Sequence, residues 1–283
     1  MRPKFPVTEL CEALDCPRSS FYHAQNPVPS ARAQANAALL AQIRLLHAER
    51  LTKAYGSPRV TVVLNARGHS CSRPRIARLM HAEGLRARPR RPFRPKTTSA
   101  DHAAHPSPNL LADRPAPTAP GQILVSDITY VPTAEGWLYL AVVMDLFSRC
   151  VLGWAVADHL KASLVLEALE NSRPQLPRAQ APPIFHSDRG CQYTSSAVRA
   201  FLRGHDWEQS MSAKGNCYDN AFSESFFASF KNENLPSSGS FPSKLDARRA
   251  TFYYFANFYN RVRPHSSLKY KTPAFVFHAK AAA

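Results

Sequence analysis

Apolar residues recur along the chain at two different periods. Before residue 86 they return every three or four positions, as on one face of a helix; beyond residue 120 they alternate or run together, as in strands. Val7, Leu10, Cys11 and Leu14 form the first helical set, with Thr8 placed to cap it and residues 18–23 as the other arm of a helix-turn-helix. Pro27 and Pro29 break the pattern. An Ala-rich helix then spans residues 32–50, with Leu39, Leu40, Ile43 and Leu46 on one side. Two more helices, 58–66 and 73–83, are joined by Gly68-His69-Ser70-Cys71-Ser72. In the second, Ile76, Leu79, Met80 and Glu83 share one face while Arg75 and Arg78 occupy the other; Ser72 caps it, Pro74 sits in the first turn and Gly84 stops it. Apolar inside and arginine outside is how a recognition helix looks.

Residues 86–120 read as an extended linker. Arg86, Arg88, Arg90, Arg91, Arg94 and Lys96 are interleaved with Pro89, Pro92 and Pro95, too dense in proline for a helix and suited to lying along phosphates, with Phe93 available for a base or groove contact. Beyond it, Ile123, Val125, Ile128, Tyr130 and Val131 predict a strand, and after a turn-like stretch at 132–136 a second apolar run, 137–144, pairs back as a hairpin. A third strand follows at 149–156, then a helix at 160–171 with Leu164, Val165 and Ala168 inward. A short strand closes at Asp188, a helix at 195–203 turns Val198, Phe201 and Leu202 inward, and a capped helix covers 216–231. The expected fold is an α/β layer structure, a mixed sheet with flanking helices, preceded by an all-α helix-turn-helix region. Its expected parts are residues 1–85, a basic linker at 86–120, and a core with a helical extension at 121–283.

Charge sharpens the picture because it is unevenly placed. Of a net +16 over 283 residues, positions 1–100 hold 18 Lys+Arg against 5 Asp+Glu, and the remainder 18 against 15. A polyanion partner for the front of the chain follows, nucleic acid ahead of membrane because no amphipathic anchor accompanies the charge. The longest apolar run near the core, 139–144, is far below the ~20 residues of a membrane span. Met1 to Pro6 contain no apolar signal region, so the expected location is cytoplasmic and nucleoid-associated. The 6 cysteines form no CxxC pair, and Cys11, Cys16 and His23 fit no common zinc-finger spacing.

One carboxylate, Asp127, stands inside a run that otherwise favours burial, where an ionised group needs a cation or a tight hydrogen-bond set. Asp188 closes a strand before Gly190, and Glu224 rides the helix at 216–231. Asp145, Asp219 and Glu233 lie close by in sequence, and residue type alone does not select Glu224 over Asp219 or Glu233. Asp219 reads better as a helix cap, and Glu233 falls on a different helical face from Glu224. Asp145 is expected to brace Arg149 or the turn, and His186 and His265 to make structural or phosphate contacts.

Several strings agree in order and spacing with one family. They are Ser126-Asp127-Ile128-Thr129-Tyr130; Met144-Asp145-Leu146-Phe147-Ser148-Arg149; His186-Ser187-Asp188-Arg189-Gly190-Cys191-Gln192-Tyr193; Met211 through Ala221 with Glu224-Ser225-Phe226-Phe227; and Tyr259-Asn260-Arg261 with His265 and Leu268. Over nearly its whole length the chain resembles the second reading frame of insertion-sequence three family transposases, which carries a retroviral-integrase-like core. The resemblance implies an RNase H-like fold in which Asp127, Asp188 and Glu224 bind two divalent metals, magnesium with manganese as a substitute. It also implies a basic residue two helical turns after the Glu, here Lys231. Leu124 departs from the pattern, since many members have Trp there, and this is expected to alter packing and not chemistry.

The implied activity is metal-dependent cleavage at insertion-sequence ends followed by strand transfer. Two ions suit that chemistry because they stabilise both the attacking and the leaving oxygen, and carboxylates are the ligands hard cations prefer. Arg75, Arg78, Arg88, Arg90 and Arg91 are then expected to hold double-stranded DNA, with Lys214, Asn216 and Lys231 near the scissile strand. Further implied partners are target DNA, other copies of the chain on DNA, and an upstream-frame protein or its frameshift fusion. The competing readings are a DNA-binding regulator with a dead core and an RNase H-like nuclease that hydrolyses without joining.

Overall fold

A computed structural model describes residues 5–25, 29–88, 106–112, 114–177, 181–212 and 221–281. The front of the chain is helical: α1 Val7–Ala13, α2 Arg18–Gln25, α3 Ala31–Ala48, α4 Ser57–Ala66 and α5 Arg73–Ala82. Leu39, Ile43 and Leu46 of α3 are buried against Val60, Leu64, Ile76 and Met80, the stripe that the helical period predicts. Two expected caps differ. Pro6, not Thr8, holds the cap position of α1, because Thr8 already lies inside the helix. Ser72 does precede α5, but its side chain makes no capping hydrogen bond, and Gly84 ends the helix at a φ of 66°.

The second part contains a five-stranded sheet in the order β3-β2-β1-β4-β5. Its strands are β1 Ile123–Thr133, β2 Gly136–Asp145, β3 Val151–Ala157, β4 Ile184–Ser187 and β5 Glu208–Met211. The first three are antiparallel neighbours, while β4 runs parallel to β1 and β5 parallel to β4. Helices α6 Ala162–Ser172, α7 Cys191–Thr194 and α8 Ser196–Gly204 follow β3 and β4, with Ser195 capping α8 by accepting from the Val198 amide at 3.3 Å. After β5 come α9 Ala221–Asn234, α10 Lys244–Tyr253 continuing as a π-helix over Tyr254–Tyr259, and α11 Pro273–Ala281.

Side chains alternate along β1 as a pleated strand requires, so the sheet separates two cores. Leu124, Ala141, Val143 and Leu152 face Leu164, Val165, Ala168, Val198 and Leu202 on one side. Ile123, Val125, Val131, Leu140 and Val142 face the other side. There they share one core with Phe226, Phe227 and Phe230 of α9, with Tyr254, Phe255 and Phe258, and with the buried stripe of α3 to α5. Helix α9 lies across β1. Asp127 belongs by parity to that α9-facing side.

Candidate active site

The strand register brings two of the three acids level. Val125 pairs with His186 across the parallel β1–β4 ladder, and two residues further along each chain comes a carboxylate, Asp127 on β1 and Asp188 just past β4. Each uses one oxygen locally: Asp127 accepts from the Ile128 amide at 2.8 Å, and Asp188 from the Gly190 amide at 3.0 Å. Burial pushes the Asp188 carboxyl above its ordinary range, and the Gly190 amide offsets this only in part.

Tyr193 lies behind them, in the core on the other side of the sheet. It is 1 % exposed, its hydroxyl shares a 3.0 Å hydrogen bond with Ser126, and burial together with the charges of Asp127 and Asp188 raises its pKa well above the ordinary value. Sequence reasoning did not single out Tyr193 as a site residue, although it ends the string that begins at His186. Its helix α7 is a single turn in which the Tyr193 and Thr194 amides donate to the Gly190 carbonyl, tying the tyrosine to the Asp188-Arg189-Gly190 bend.

Helix α9 contributes from above. Lys231 is half-buried; burial lowers its ammonium pKa while the neighbouring Asp127 charge raises it. Glu224, in the first turn, is exposed. Seven residues separate the two, so both lie along one helical stripe. Among the described residues no three His, Cys, Asp or Glu side chains are arranged to hold a metal ion. The donor set nevertheless suits a hard cation: two level carboxylates, one of them charged at a desolvation cost that a divalent ion would relieve.

The competing acids have other work. Glu233 is 3 % exposed and engages Arg263 through both oxygens, Arg59 at 3.1 Å and the Tyr254 hydroxyl at 2.8 Å. Asp145 is fully buried and braces the turn after β2, accepting from the Gly121 amide at 2.8 Å, the Ser148 amide at 2.7 Å and the Ser148 hydroxyl. Arg149 does not reach it by side chain; its guanidinium lies over the Phe222 ring at 4.1 Å. Asp219 lies outside the described residues.

His186 is buried with Nδ1 2.9 Å from the Ser210 hydroxyl, which ties β4 to β5. His265 shares a 2.9 Å hydrogen bond with Ser267. Burial, then the charges of Arg263, Arg149 and Arg59, depress its pKa to about 3. Asn260, from the Tyr259-Asn260-Arg261 string, accepts from the Val151 amide at 3.0 Å and donates to the Val151 carbonyl at 2.8 Å, pinning β3 as a neighbouring strand would.

Of the residues expected on DNA, Arg78 is exposed on α5. Arg75 turns back to Asn36 on α3, its Nε donating at 2.8 Å. Arg88 donates to backbone carbonyls at the end of α9. Arg90, Arg91, Lys214 and Asn216 lie outside the described residues, as do Phe93 and Lys96. No described helix is long and apolar enough to cross a membrane.

The integrase core domain family matches residues 117–217, a second integrase core domain family matches 205–273, and an HTH-like domain family matches 34–93, a stretch that holds most of α3 and all of α4 and α5. The insertion element IS600 uncharacterized 31 kDa protein of Shigella sonnei is 38% identical over 268 residues, 94% of this chain and 96% of that protein. Transposase InsF for insertion sequence IS3A of Escherichia coli (strain K12) is 38% identical over 266 residues, 93% of this chain and 91% of that protein. The HTLV-2 integrase catalytic core domain solved in complex with magnesium is a distant likeness, with a TM-score of 0.43 at 16% identity, covering 57% of this chain and 99% of that one. With these relatives, an integrase core domain and an HTH-like region ahead of it, the chain belongs to the insertion-sequence three family of transposases.

Proposed function

We propose that Asp127, Asp188 and Glu224 are the acids of this transposase and that they take two divalent ions, magnesium with manganese able to substitute. Bound there, the ions would activate the attacking oxygen and neutralise charge on the phosphate. The chain's own groups do the rest. Tyr193 and Ser126 form a dry, hydrogen-bonded layer on the other side of the sheet, behind the strand positions of Asp127 and Asp188. Lys231 places a positive charge beside Asp127 where the DNA strand would pass, and Glu224 reaches solvent from the first turn of α9. Arg78 and the basic segment at 89–96 hold the DNA. Cleavage at insertion-sequence ends is followed by attack of the freed 3′-hydroxyl on a second phosphodiester, with several copies of the chain, or its frameshift fusion with an upstream-frame protein, assembled on DNA.

The observation that carries this reading is the parallel register that brings Asp127 and Asp188 level, with Asp127 on the face of the sheet that α9 covers and the Lys231 charge of α9 felt by it. Asp127→Asn, Asp188→Asn and Glu224→Gln are each expected to retain end-DNA binding and to lose magnesium-dependent cleavage and joining. Cleavage by the triple variant at the parent rate would refute the assignment. Nicks without joined products from the parent would favour the plain nuclease, and end binding without nicks the regulator.

A further inference from the structure

The last turn of α9 ends in carbonyls that no amide of its own helix can reach. Arginines from the first 88 residues of the chain meet carbonyls of this turn and of the two residues that follow it. Arg88 donates from Nη1 to the carbonyls of Asn232 and Leu235 at 3.2 and 2.8 Å, and from Nη2 to that of Pro236 at 3.0 Å. Asn232 answers by donating from its side chain to the Arg88 carbonyl at 3.2 Å. Arg50 donates to both the backbone and the side-chain oxygen of Asn234, at 2.9 and 3.0 Å. Arg59, on α4, pairs with Glu233 one residue earlier. Guanidinium groups are well suited to this end of a helix, since the macrodipole leaves it negative and charged donors bond more strongly than neutral ones.

From this arrangement we infer that Arg50 and Arg88 are positioning residues for Glu224. The helical DNA-holding region sets the rotation and axial placement of α9 by gripping its C-terminal end, and the stiff helix carries that placement to the first turn. The inference rests on reading Glu224 as the third acid. It also gives Arg88 a role opposite to the one expected of it: a clamp on protein, standing immediately before the basic segment at 89–96. DNA drawn along that segment and the orientation of α9 therefore meet at one residue.

The test uses the full chain with Arg88→Ala, Arg50→Ala, Arg88→Lys and Glu224→Gln. Three quantities are read: amide exchange along residues 222–234, end-DNA affinity as a function of salt, and the magnesium dependence of cleavage. Loss of a charged hydrogen-bond set is expected to speed exchange across α9, the Glu224 turn included, by about tenfold in Arg88→Ala and somewhat less in Arg50→Ala. End-DNA affinity and its salt slope are expected to match the parent, while half-maximal cleavage shifts to severalfold higher magnesium. Arg88→Lys should recover part of both effects, because an ammonium cannot span three carbonyls as a planar fork can. Unchanged exchange in both alanine variants overturns the inference. So does a salt slope lowered by about 1, the mark of a lost phosphate contact. Parent-like cleavage by Glu224→Gln would instead remove the reading of Glu224, with the exchange data still judging the clamp on their own.

Discussion

Glu233→Gln and Glu224→Gln, made side by side, separate the two acids on α9 by what each variant loses. Arg263 is 1 % exposed and is held by Glu233 through Nε at 2.7 and 3.0 Å and Nη2 at 2.8 Å. Burial alone would depress the Arg263 guanidinium; the charge of Glu233, aided by Tyr254, reverses the direction and holds it above its ordinary value. An amide at 233 keeps one acceptor but turns N–H groups toward a buried cation and removes the only charge that compensates it within this bonded set. Breaking such a pair costs about 3–5 kcal/mol, because the remaining charge stays in a medium that solvates it poorly. At roughly 2 °C per kcal/mol for a chain of this size, the midpoint of thermal unfolding should fall by about 6–10 °C. Glu224 is exposed, so its amide variant should change stability by no more than about 0.5 kcal/mol while abolishing cleavage. Differential scanning calorimetry, with urea midpoints as a second probe, reads the first effect, and a gel assay on end DNA reads the second. A Glu233→Gln midpoint within about 2 °C of the parent would refute the reasoning.

Gly153→Ala should destabilise by about 1–3 kcal/mol in urea unfolding. A Cβ there would press on the Ala168 carbonyl and sit 2.5 Å from the Ser172 amide and 2.7 Å from its Cβ, where β3 meets α6; a neutral result would mean that α6 withdraws without cost. His265 gives a pH signature with a defined sign. Its folded pKa of about 3 lies below its ordinary 6.5, so the unfolded chain takes the proton first, and this contribution is complete above pH 6.5 and lost as pH falls from 6.5 toward 3. His265→Gln should flatten that part of the stability–pH curve, and identical slopes in the two proteins would sink the assignment. Replacing the whole buried set at once, Arg59→Met, Glu233→Leu, Tyr254→Phe and Arg263→Met, should leave stability within about 2 kcal/mol of the parent or raise it, since no charge is then stranded. The same protein should cleave poorly, and parent-like cleavage would show that the ion pairs do not direct α9.

The hairpin and the helical stripes were legible because each buries one face against something close in sequence. Val125, Leu140 and Val142 alternate as a half-buried pair of strands must, and Val198 and Leu202 share a helical stripe behind a serine cap. Strand β5 was not legible: Glu208-Gln209-Ser210-Met211 contains one strong apolar residue and becomes a strand because β4 offers it an open parallel edge. The buried pair Glu233–Arg263 was equally invisible, since nothing local relates two charges 30 residues apart. For the site, a carboxylate in an apolar run marked Asp127 as costly, but its partners came only with the family resemblance. The level pairing of Asp127 with Asp188 depends on a parallel ladder that no short window of sequence encodes.

That ladder fixes the levels of Asp127 and Asp188, whereas Glu224, if it is the third acid as proposed, must be brought to them by a helix, and the two halves of α9 divide the work. A helix turns about 100° per residue, so the nine steps from Glu224 to Glu233 end on the opposite side, while the seven to Lys231 return within about 20° of the start. Phe226, Phe227 and Phe230 fill the side that meets the sheet. Apolar contact is non-directional, so three phenylalanines would tolerate a small roll of the helix against β1. The forked contact of Arg263 with Glu233, and the carbonyls held by Arg50 and Arg88, would not, because each fails once its geometry is lost. A slip of one residue would swing Glu224 about 100° away from the strand pair. A buried ion pair adds less to stability than apolar packing of the same volume could, so under the proposed assignment its consequence at this position is the angle at which Glu224 would be presented to Asp127 and Asp188.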